Sequence, residues 1–449
     1  MIKKIITKIV IVVDYLLFVF VFISCLIALL FAIPWISKQR KTWNHSVKGN
    51  NKAIILRGFT LEKLYKRGYD HLLPFLNPSL KWIGFLDATN STKTTIKITD
   101  DLYIIIMQTP NILRVMEKLG FMGTSTIVRE LIAIFRITGY CVQEQIGVLR
   151  AYKHTYPALQ AYLVSRFIKI PFIVDISGHY EVIRKLTGKT FYFRELNKLP
   201  VLRIFSLKVT NWLYGLPLRH ACWVVGRDKW TFEYARSLGV PVERLSFLRI
   251  SNFSAAFNSY NPEKLPTKPV EYPYLLLVGR LAEIHFPLDV LDAFEQAAAQ
   301  VPEYRLVIIG DGSLRNDVEQ RRERSEYKDR IVLLGACSST IVFQWTAHAK
   351  AAICPLAGST MAEAMLCGVP VIAYFLKGYP EMVIDDYTGY TVPFRDITAL
   401  AQKMISVVHN YDEAMVVGMR GREAARIAFD KKKISEKESM YYMQALTEP

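Results

Sequence analysis

The sequence predicts an α/β protein with two domains, each built on a parallel sheet, behind an N-terminal transmembrane helix. Short apolar runs alternate with helical stretches on both sides of a Pro- and Lys-rich linker at residues 261–273. Such alternation is typical of parallel sheets whose strands are covered on both faces. A further apolar run at residues 15–37 carries no charge and is long enough to cross a bilayer core as one helix.

The run at residues 15–37 is too long for the apolar core of a signal peptide, and no small-residue cleavage site follows it. Because it is apolar on all sides, a single membrane span is favoured over a helix lying in the interface. Basic residues flank both ends of the run: Lys3, Lys4, Lys8, Lys38, Arg40 and Lys41. Flanking charge therefore leaves the orientation open. We expect residues 1–50 to be an anchor with its flanks, in the inner membrane, with cytoplasmic catalytic domains.

The composition indicates which classes of molecule the protein binds. The formal net charge of +17 implies an acidic partner such as nucleic acid, anionic lipid or a phosphate-bearing substrate. The Lys and Arg residues are scattered and no zinc-finger or RNA-recognition motif accompanies them, so a membrane surface is favoured and nucleic acid is not expected. The six cysteines show no metal-ligand spacing and lie mostly in apolar runs, which favours a reducing compartment and no metal cofactor.

The predicted domain boundaries follow the alternation of strands and helices. Residues 51–260 form the first domain, 261–273 the linker and 274–411 the second domain, while 412–449 are helices that could pack back across the first domain. Strands of the first domain are predicted at residues 52–56, 82–86, 102–107, 146–149, 171–176, 222–225 and 245–248. His154 and His179 each follow one of these strands and are placed for a cleft, although a loop histidine is more often simply solvated.

Residues 351–373 of the second domain have the pattern that is most informative about function. They predict a strand, a tight loop, a short helix and a second strand. Gly358, Ser359 and Thr360 come just before the helical run, so free backbone N–H groups and the helix dipole would form an anion site there. Glu363 follows about one turn later, within reach of a sugar hydroxyl attached to a bound phosphate. The alternative is an ordinary βαβ unit with a polar helix start and a solvated glutamate.

Glycines also follow the other predicted strands of this domain, at residues 274–278, 305–309 and 331–334. Gly279 precedes Arg280, and Gly310 begins a Gly-Asp-Gly turn. Strand ends that carry glycine make a sheet edge that a nucleotide can approach closely. Neither a Walker A motif nor a GxGxxG motif is present, so an ATPase loop and a dinucleotide fingerprint are not supported.

These residues resemble the group 1 (family 4) glycosyltransferases, which are retaining enzymes of the GT-B fold with two Rossmann-like domains facing a cleft. LLLVGRLAEIHFPLDVLDAF is similar to the Gly-Arg-Leu strand end of that family, and LVIIGDGSLRNDVE to its Gly-Asp-Gly turn. AEAMLCGVPVIA and KGYPEMVIDDYTGYTVP are similar to its Glu-Ala-Met and Gly-x-Pro-Glu segments. The order of elements resembles the family over most of residues 52–446, most strongly over 274–393.

The resemblance implies site residues, with three departures. Catalytic roles fall to Arg280, Glu363 and His179, and donor binding to Gly279, Arg280, His285, Gly310, Gly358, Ser359, Thr360 and Glu363. Pro355 stands eight positions before Glu363, where the family has its first glutamate. His285 replaces the donor-phosphate lysine, so Arg280 would carry more of the charge. Ser177 aligns with the cleft histidine, and His179 lies two residues further on.

The resemblance implies a retaining, hexosyl-type transferase with a nucleotide diphosphate sugar as co-substrate and no metal. Its acceptor would be a glycan or a lipid-linked sugar, as in the synthesis of cell-surface polysaccharide, lipopolysaccharide or glycolipid. A second hypothesis is a catalytically degenerate GT-B subunit that partners another transferase. A third, a phosphorolytic or epimerising enzyme of the same fold, gives the membrane anchor no purpose.

Overall fold

The computed structural model describes residues 13, 32–46, 52–59, 80, 82–87, 95–97, 100, 102–106, 111–119, 122–176, 212, 214–249, 255–356, 358–376 and 381–447. The chain divides into two compact units. Unit 1 comprises Met1–Leu248 with Lys432–Pro449, and unit 2 comprises Arg249–Lys431. Each unit is organised around its own sheet.

The described part of unit 1 contains an eight-stranded sheet with the strand order β3-β4-β2-β1-β5-β6-β7-β8. Its strands are β1 (Lys52–Phe59), β2 (Trp82–Asp87), β3 (Thr95–Lys97), β4 (Leu102–Ile106), β5 (Val148–Ala151), β6 (Phe172–Ile176), β7 (Trp223–Gly226) and β8 (Leu245–Phe247). All neighbours are parallel except β3 and β4. The seven predicted strands are present, and only the short antiparallel edge strand β3 is additional.

Helices α1 (Ile33–Ser46), α2 (Asn111–Lys118), α3 (Met122–Gln143), α4 (Tyr156–Ile168) and α5 (Lys229–Ser237) complete the first part of unit 1. Helix α1 is held by side chains. The Arg40 guanidinium donates to the carbonyls of Phe167 and Arg166 at the end of α4, at 2.9 and 2.7 Å. The Trp43 indole donates to the Ile146 carbonyl at 2.9 Å and its ring lies in the core.

The packing of α1 differs from the predicted boundary, which placed residues 1–50 outside the first domain. The prediction counted residues 33–37 as the end of the apolar run, but in the structure they form the start of α1. The rest of the predicted span, residues 15–31, lies outside the described residues. Among the residues that are described, no helix has the length and apolarity needed to cross a membrane.

Unit 2 has a six-stranded sheet with the order β11-β10-β9-β12-β13-β14, and every neighbouring pair is parallel. Its strands are β9 (Tyr274–Val278), β10 (Arg305–Ile309), β11 (Ile331–Gly335), β12 (Ala351–Ile353), β13 (Val371–Phe375) and β14 (Tyr390–Pro393). Strand β9 is buried on both faces: Leu275 and Leu277 pack into one apolar cluster and Leu276 into another. This two-sided burial explains the continuous apolar runs of the sequence.

Seven helices cover the sheet of unit 2: α6 (Ala255–Asn258), α7 (Pro287–Ala298), α8 (Arg315–Glu323), α9 (Ser339–His348), α10 (Ser359–Leu366), α11 (Ile397–His409) and α12 (Tyr411–Ala428). The last helix, α13 (Lys431–Thr447), belongs to unit 1 from residue 432 onward. Its residues Glu438 and Tyr442 contact Arg150, a buried residue of β5. A C-terminal segment thus completes the N-terminal unit.

Candidate functional site

The topology of unit 2 selects one place for a ligand. From β9 the chain adds β10 and β11 on one side, then returns to place β12 on the other side of β9. Ligands of open α/β sheets bind beyond the carboxyl ends of strands at such a reversal. A cavity of about 130 Å³ lies there in unit 2. It is lined by Leu277, Val278, Gly279, Arg280, Leu281, His285, Pro287, Pro355, Gly358, Ser359 and Thr360.

The cavity brings together six of the residues predicted to bind the donor: Gly279, Arg280, His285, Gly358, Ser359 and Thr360. Its volume is below the roughly 300–1,000 Å³ of pockets that enclose a drug-sized ligand. A phosphate or diphosphate group suits it better than a whole nucleotide sugar. Glu363 and Gly310 do not line it, and His179 lies outside the described residues.

The first turn of α10 forms one wall of the cavity. Gly358 is its N-cap residue and makes no side-chain cap, because glycine has no side chain to offer. A Cβ at Gly358 would have no heavy atom within 4 Å, so the space beside this residue is open. The first N–H groups of a helix lack intrahelical acceptors and lie at the positive end of the dipole. This wall therefore presents donors suited to a phosphate.

Arg280 also lines the cavity; it is exposed and comes directly after Gly279 at the end of β9. Its backbone is fixed on both sides: the Gly279 N–H donates to the Ile309 carbonyl at 3.0 Å, and the Leu281 N–H donates to the Asp311 carbonyl at 3.1 Å. Within the described ranges, the Arg280 guanidinium forms no ion pair and no hydrogen bond. It is a positioned cation that remains available to a ligand.

His285 lies in a single 3₁₀ turn, Glu283–His285, and is half-buried. Its Nδ1 is 2.9 Å from the carbonyl oxygen of Leu356, in the loop that leads to α10. Burial lowers the pKa of His285 below its usual value and the charge of Arg280 lowers it further, while the bond to Leu356 acts in the opposite direction. The ring is therefore neutral near pH 7, unlike the lysine it replaces.

Glu363 lies one turn into α10 and is half-buried. Burial raises the pKa of its carboxyl to about 7. Among the described residues, no hydrogen bond or ion pair compensates for that burial. A carboxyl whose pKa is raised by burial beside a cavity is typical of functional sites, because a ligand can supply the missing hydrogen bonds.

Gly310, which was predicted to bind the donor, lies against the loop that carries Arg280. Its φ is +149°, and a Cβ there would lie 1.8 Å from the carbonyl oxygen of Gly279. Gly312 is similarly crowded, with the Leu281 carbonyl oxygen 2.3 Å from its ideal Cβ. The Gly-Asp-Gly turn therefore packs beneath the loop that carries Arg280. Gly310 supports the cavity without lining it.

The histidine candidates of unit 1 gain no support from the structure. His154 is fully buried, with the rings of Tyr214 and Tyr234 edge-on to it at centroid distances of 5.5 Å. It is a core residue and not the cleft residue that its position after a strand indicated. Ser177 and His179 fall outside the described residues. Of the residues that are described, no three His, Cys, Asp or Glu side chains cluster as metal ligands.

Comparison with known proteins identifies similar sequences and similar structures. Residues 262–424 match the family model described as glycosyl transferases group 1. N-acetyl-alpha-D-glucosaminyl L-malate synthase of Bacillus anthracis is 26% identical over 171 residues, which cover 37% of this chain and 45% of that protein. The putative colanic acid biosynthesis glycosyltransferase WcaL of Escherichia coli is 28% identical over 230 residues, which cover 49% and 55%. The chain thus spans about half the length of these relatives.

Solved structures show the same fold over most of the chain. HepE of Anabaena, in complex with UDP and glucose, has a TM-score of 0.62 at 14% identity and covers 87% of this chain and 99% of that one. Sucrose-phosphate synthase of Thermosynechococcus elongatus has a TM-score of 0.64 at 16% identity and covers 88% and 98%. The fold is GT-B, as predicted, with one Rossmann-like sheet in each unit. Over residues 262–424 the chain is similar to the group 1 glycosyl transferases.

Proposed function

We propose that this protein transfers a sugar from a nucleotide diphosphate sugar to a glycan or lipid-linked acceptor. The observation that carries the proposal is the cavity of unit 2, where the uncapped start of α10 and the unpaired guanidinium of Arg280 face one phosphate-sized space. The group 1 family match over residues 262–424 supports a sugar donor. The printed name of the WcaL relative, a colanic acid biosynthesis glycosyltransferase, supports cell-surface polysaccharide as the product class.

The chemistry of the transfer explains these residue types. Breaking the anomeric C–O bond leaves positive charge on the sugar and new negative charge on the departing diphosphate. Arg280 and the N–H groups of α10 are fixed donors that would stabilise that charge. Glu363 would accept hydrogen bonds from the ribose hydroxyls of the donor. We propose a hexosyl donor and retention of anomeric configuration, both implied by the family resemblance.

The donor site can be tested by thermal unfolding of the full chain with UDP, GDP, ADP or CMP. A nucleotide at about 100 times its Kd should stabilise the protein by about 2.7 kcal/mol. We expect one nucleotide to do so, and Arg280→Ala and Glu363→Ala to remove most of the effect. Glu423→Ala is the matched control, since Glu423 is exposed on α12 and pairs only with Arg426 on the same helix. Stabilisation that persists in both site variants would contradict the assignment.

A second candidate function, a catalytically degenerate subunit, is favoured by two observations. Pro355 lines the cavity where the family has a glutamate, and His285 is neutral where the family has a lysine. This candidate would require a partner transferase for activity, and activity would survive Glu363→Ala. Transfer by the purified chain alone would exclude it.

We propose that the protein works at the cytoplasmic face of an inner membrane, anchored once through the apolar residues 15–32 that precede α1. The distribution of charge supports this location. Unit 1 contains 38 Lys and Arg against 18 Asp and Glu, whereas unit 2 contains 19 against 22. The whole excess of positive charge thus lies in the unit that includes the apolar run, as an anionic lipid surface would favour.

Membrane anchoring predicts a specific fractionation result. The expressed chain should stay with membranes through washes with high salt and alkaline carbonate. Ile23→Lys/Leu26→Lys should release it, because each lysine at the centre of a span costs about 3 kcal/mol. Ile384→Lys, at an exposed apolar side chain of unit 2, is the control that should remain bound. Release of the unmodified chain by salt alone would indicate peripheral binding instead.

A further inference from the structure

The hydrogen bond of His285 determines which nitrogen of the ring can reach a ligand. A carbonyl oxygen only accepts, so Nδ1 must donate its hydrogen to Leu356 across 2.9 Å. In the neutral ring Nε2 then carries a lone pair and no hydrogen. Both the histidine and the loop that follows Leu356 line the cavity, so this bond joins its two walls. The second nitrogen is the only remaining position at which the ring can act on a phosphate.

A neutral Nε2 would repel a phosphate oxygen, because both atoms present lone pairs. The same nitrogen becomes a charged donor once it takes up a proton, and Nδ1 keeps its bond to Leu356 in both states. Hence His285 can serve a diphosphate only as imidazolium. The lysine that the family resemblance places at this position would be charged before and after binding.

Burial is the main reason that His285 is neutral, and the charge of Arg280 adds to its effect. Arg280, from the end of β9, is the one charged residue within the described ranges whose field acts on the ring, and it disfavours the imidazolium. On α7, Asp289 is already engaged by Arg395, with two nitrogen–oxygen distances of 3.1 Å. The carboxylates of Glu363 on α10 and of Glu283 in the turn of His285 itself do not raise the pKa of the histidine. A diphosphate would bring the missing negative charge with it.

We propose that His285 takes up one proton when the donor diphosphate enters the cavity, and that this proton makes it the second cationic ligand beside Arg280. This inference rests on the proposed function and specifies how its site obtains charge. The proton passes from solvent to Nε2, and no bond of the donor changes in this step. The contribution of His285 to donor binding therefore strengthens as pH falls, by up to about tenfold per pH unit where one full proton is linked.

Isothermal titration calorimetry measures the linked proton directly. The probe is whichever of UDP-glucose, GDP-mannose and ADP-glucose gives the largest thermal stabilisation of the full chain. These diphosphate diesters do not themselves titrate near pH 7, unlike the terminal phosphate of UDP. Titrations near pH 7 in two buffers of different ionisation enthalpy give the number of protons taken up per donor bound, for the wild type and for His285→Lys.

We expect the wild type to take up about half to one proton more per donor than His285→Lys. Glu363 contributes the opposite sign, since it releases a proton as it ionises to accept ribose hydroxyls. That release is common to both proteins and cancels in the difference. The imidazole Cε1–H resonance of His285, assigned by its loss in His285→Gln, should move to the imidazolium position when the wild type binds the probe.

The possible results test the His285 inference and the proposed function separately. Equal proton uptake in both proteins, or a His285 resonance that stays at the neutral position with donor bound, would overturn the inference and leave the proposed donor site intact. If none of the three nucleotide sugars binds, the proposed function fails and the inference fails with it. The His285 resonance is measured on the wild type, so the test does not depend on correct folding of the lysine variant.

Discussion

Replacing Arg280 by alanine is expected to lower kcat/KM for cleavage of the donor by about 100- to 1,000-fold, the usual effect of removing one fixed donor from developing negative charge. The guanidinium is unpaired within the described part of the chain, and its backbone is clamped by hydrogen bonds from Gly279 and Leu281 to the β10 loop. The backbone that carries the Arg280 side chain therefore does not have to move as the diphosphate leaves. The measurement is release of nucleotide diphosphate from the nucleotide sugar, with water as acceptor.

Arg315→Ala is the matched control for this variant. Arg315 lies on α8 of the same unit, its side chain is 41% exposed, and it pairs with Glu319 and Asp311 rather than lining the cavity. Its removal should change kcat/KM by less than about twofold, since exposed ion pairs contribute little. An Arg280→Ala enzyme with the activity of this control would exclude a role for the guanidinium in stabilising the diphosphate.

The site combines charge from three physically different sources. Arg280 is a permanent cation, the start of α10 contributes oriented N–H groups, and His285 is cationic only with ligand bound. Glu363 adds an opposite dependence: its carboxyl has a pKa of about 7, so it becomes an ionised acceptor only as pH rises through that value. Donor binding should accordingly be strongest near neutral pH, where His285 can still gain a proton and Glu363 can still lose one.

Much of the fold follows from local patterns in the sequence. Strands β9 and β10 of unit 2, for example, are short runs of leucine and β-branched residues that end before a glycine, and their burial on both faces makes these runs almost continuously apolar. Strand β3 could not be found in this way. It has three residues at the sheet edge, and a short edge strand needs no apolar run.

The cavity was predictable where chemistry lies in consecutive residues, as at residues 358–360 and at Gly279 with Arg280. Long-range contacts were not predictable. The sequence cannot show that the Gly279 carbonyl occupies the space beside Gly310, so the need for glycine was ascribed to a ligand. Nor can it show that the Leu356 carbonyl, 71 residues away, fixes the hydrogen on His285 Nδ1. In both cases the neighbouring carbonyl lies in a segment that follows another strand of the sheet.

Unit 1 contains a buried ionic cluster that gives the largest expected effect on stability. Arg150 of β5 is 2% exposed, and its guanidinium donates to both carboxylate oxygens of Asp175 on β6 at 2.6 and 3.0 Å. From α13, Glu438 accepts from the same guanidinium, and the Tyr442 hydroxyl lies 2.8 Å from it. One arginine therefore bridges two buried carboxylates and ties the C-terminal helix to the sheet.

Arg150→Met is expected to destabilise unit 1 by about 3–5 kcal/mol, because it removes the buried counterion that Asp175 and Glu438 share. Arg236→Met removes an exposed arginine that pairs with Glu233 on α5, and should cost less than about 1 kcal/mol. Urea unfolding gives both values, and hydrogen exchange should show that α13 loses protection first. Replacing the whole cluster, as Arg150→Met/Asp175→Leu/Glu438→Met, should recover most of the stability, because the two buried carboxylates are removed together with the arginine. If the single variant were as stable as the Arg236 control, the cluster would not be what holds α13 on unit 1. The sheet contacts of Tyr441, which pairs with Ser246 and stacks on Trp223, would then have to supply the attachment.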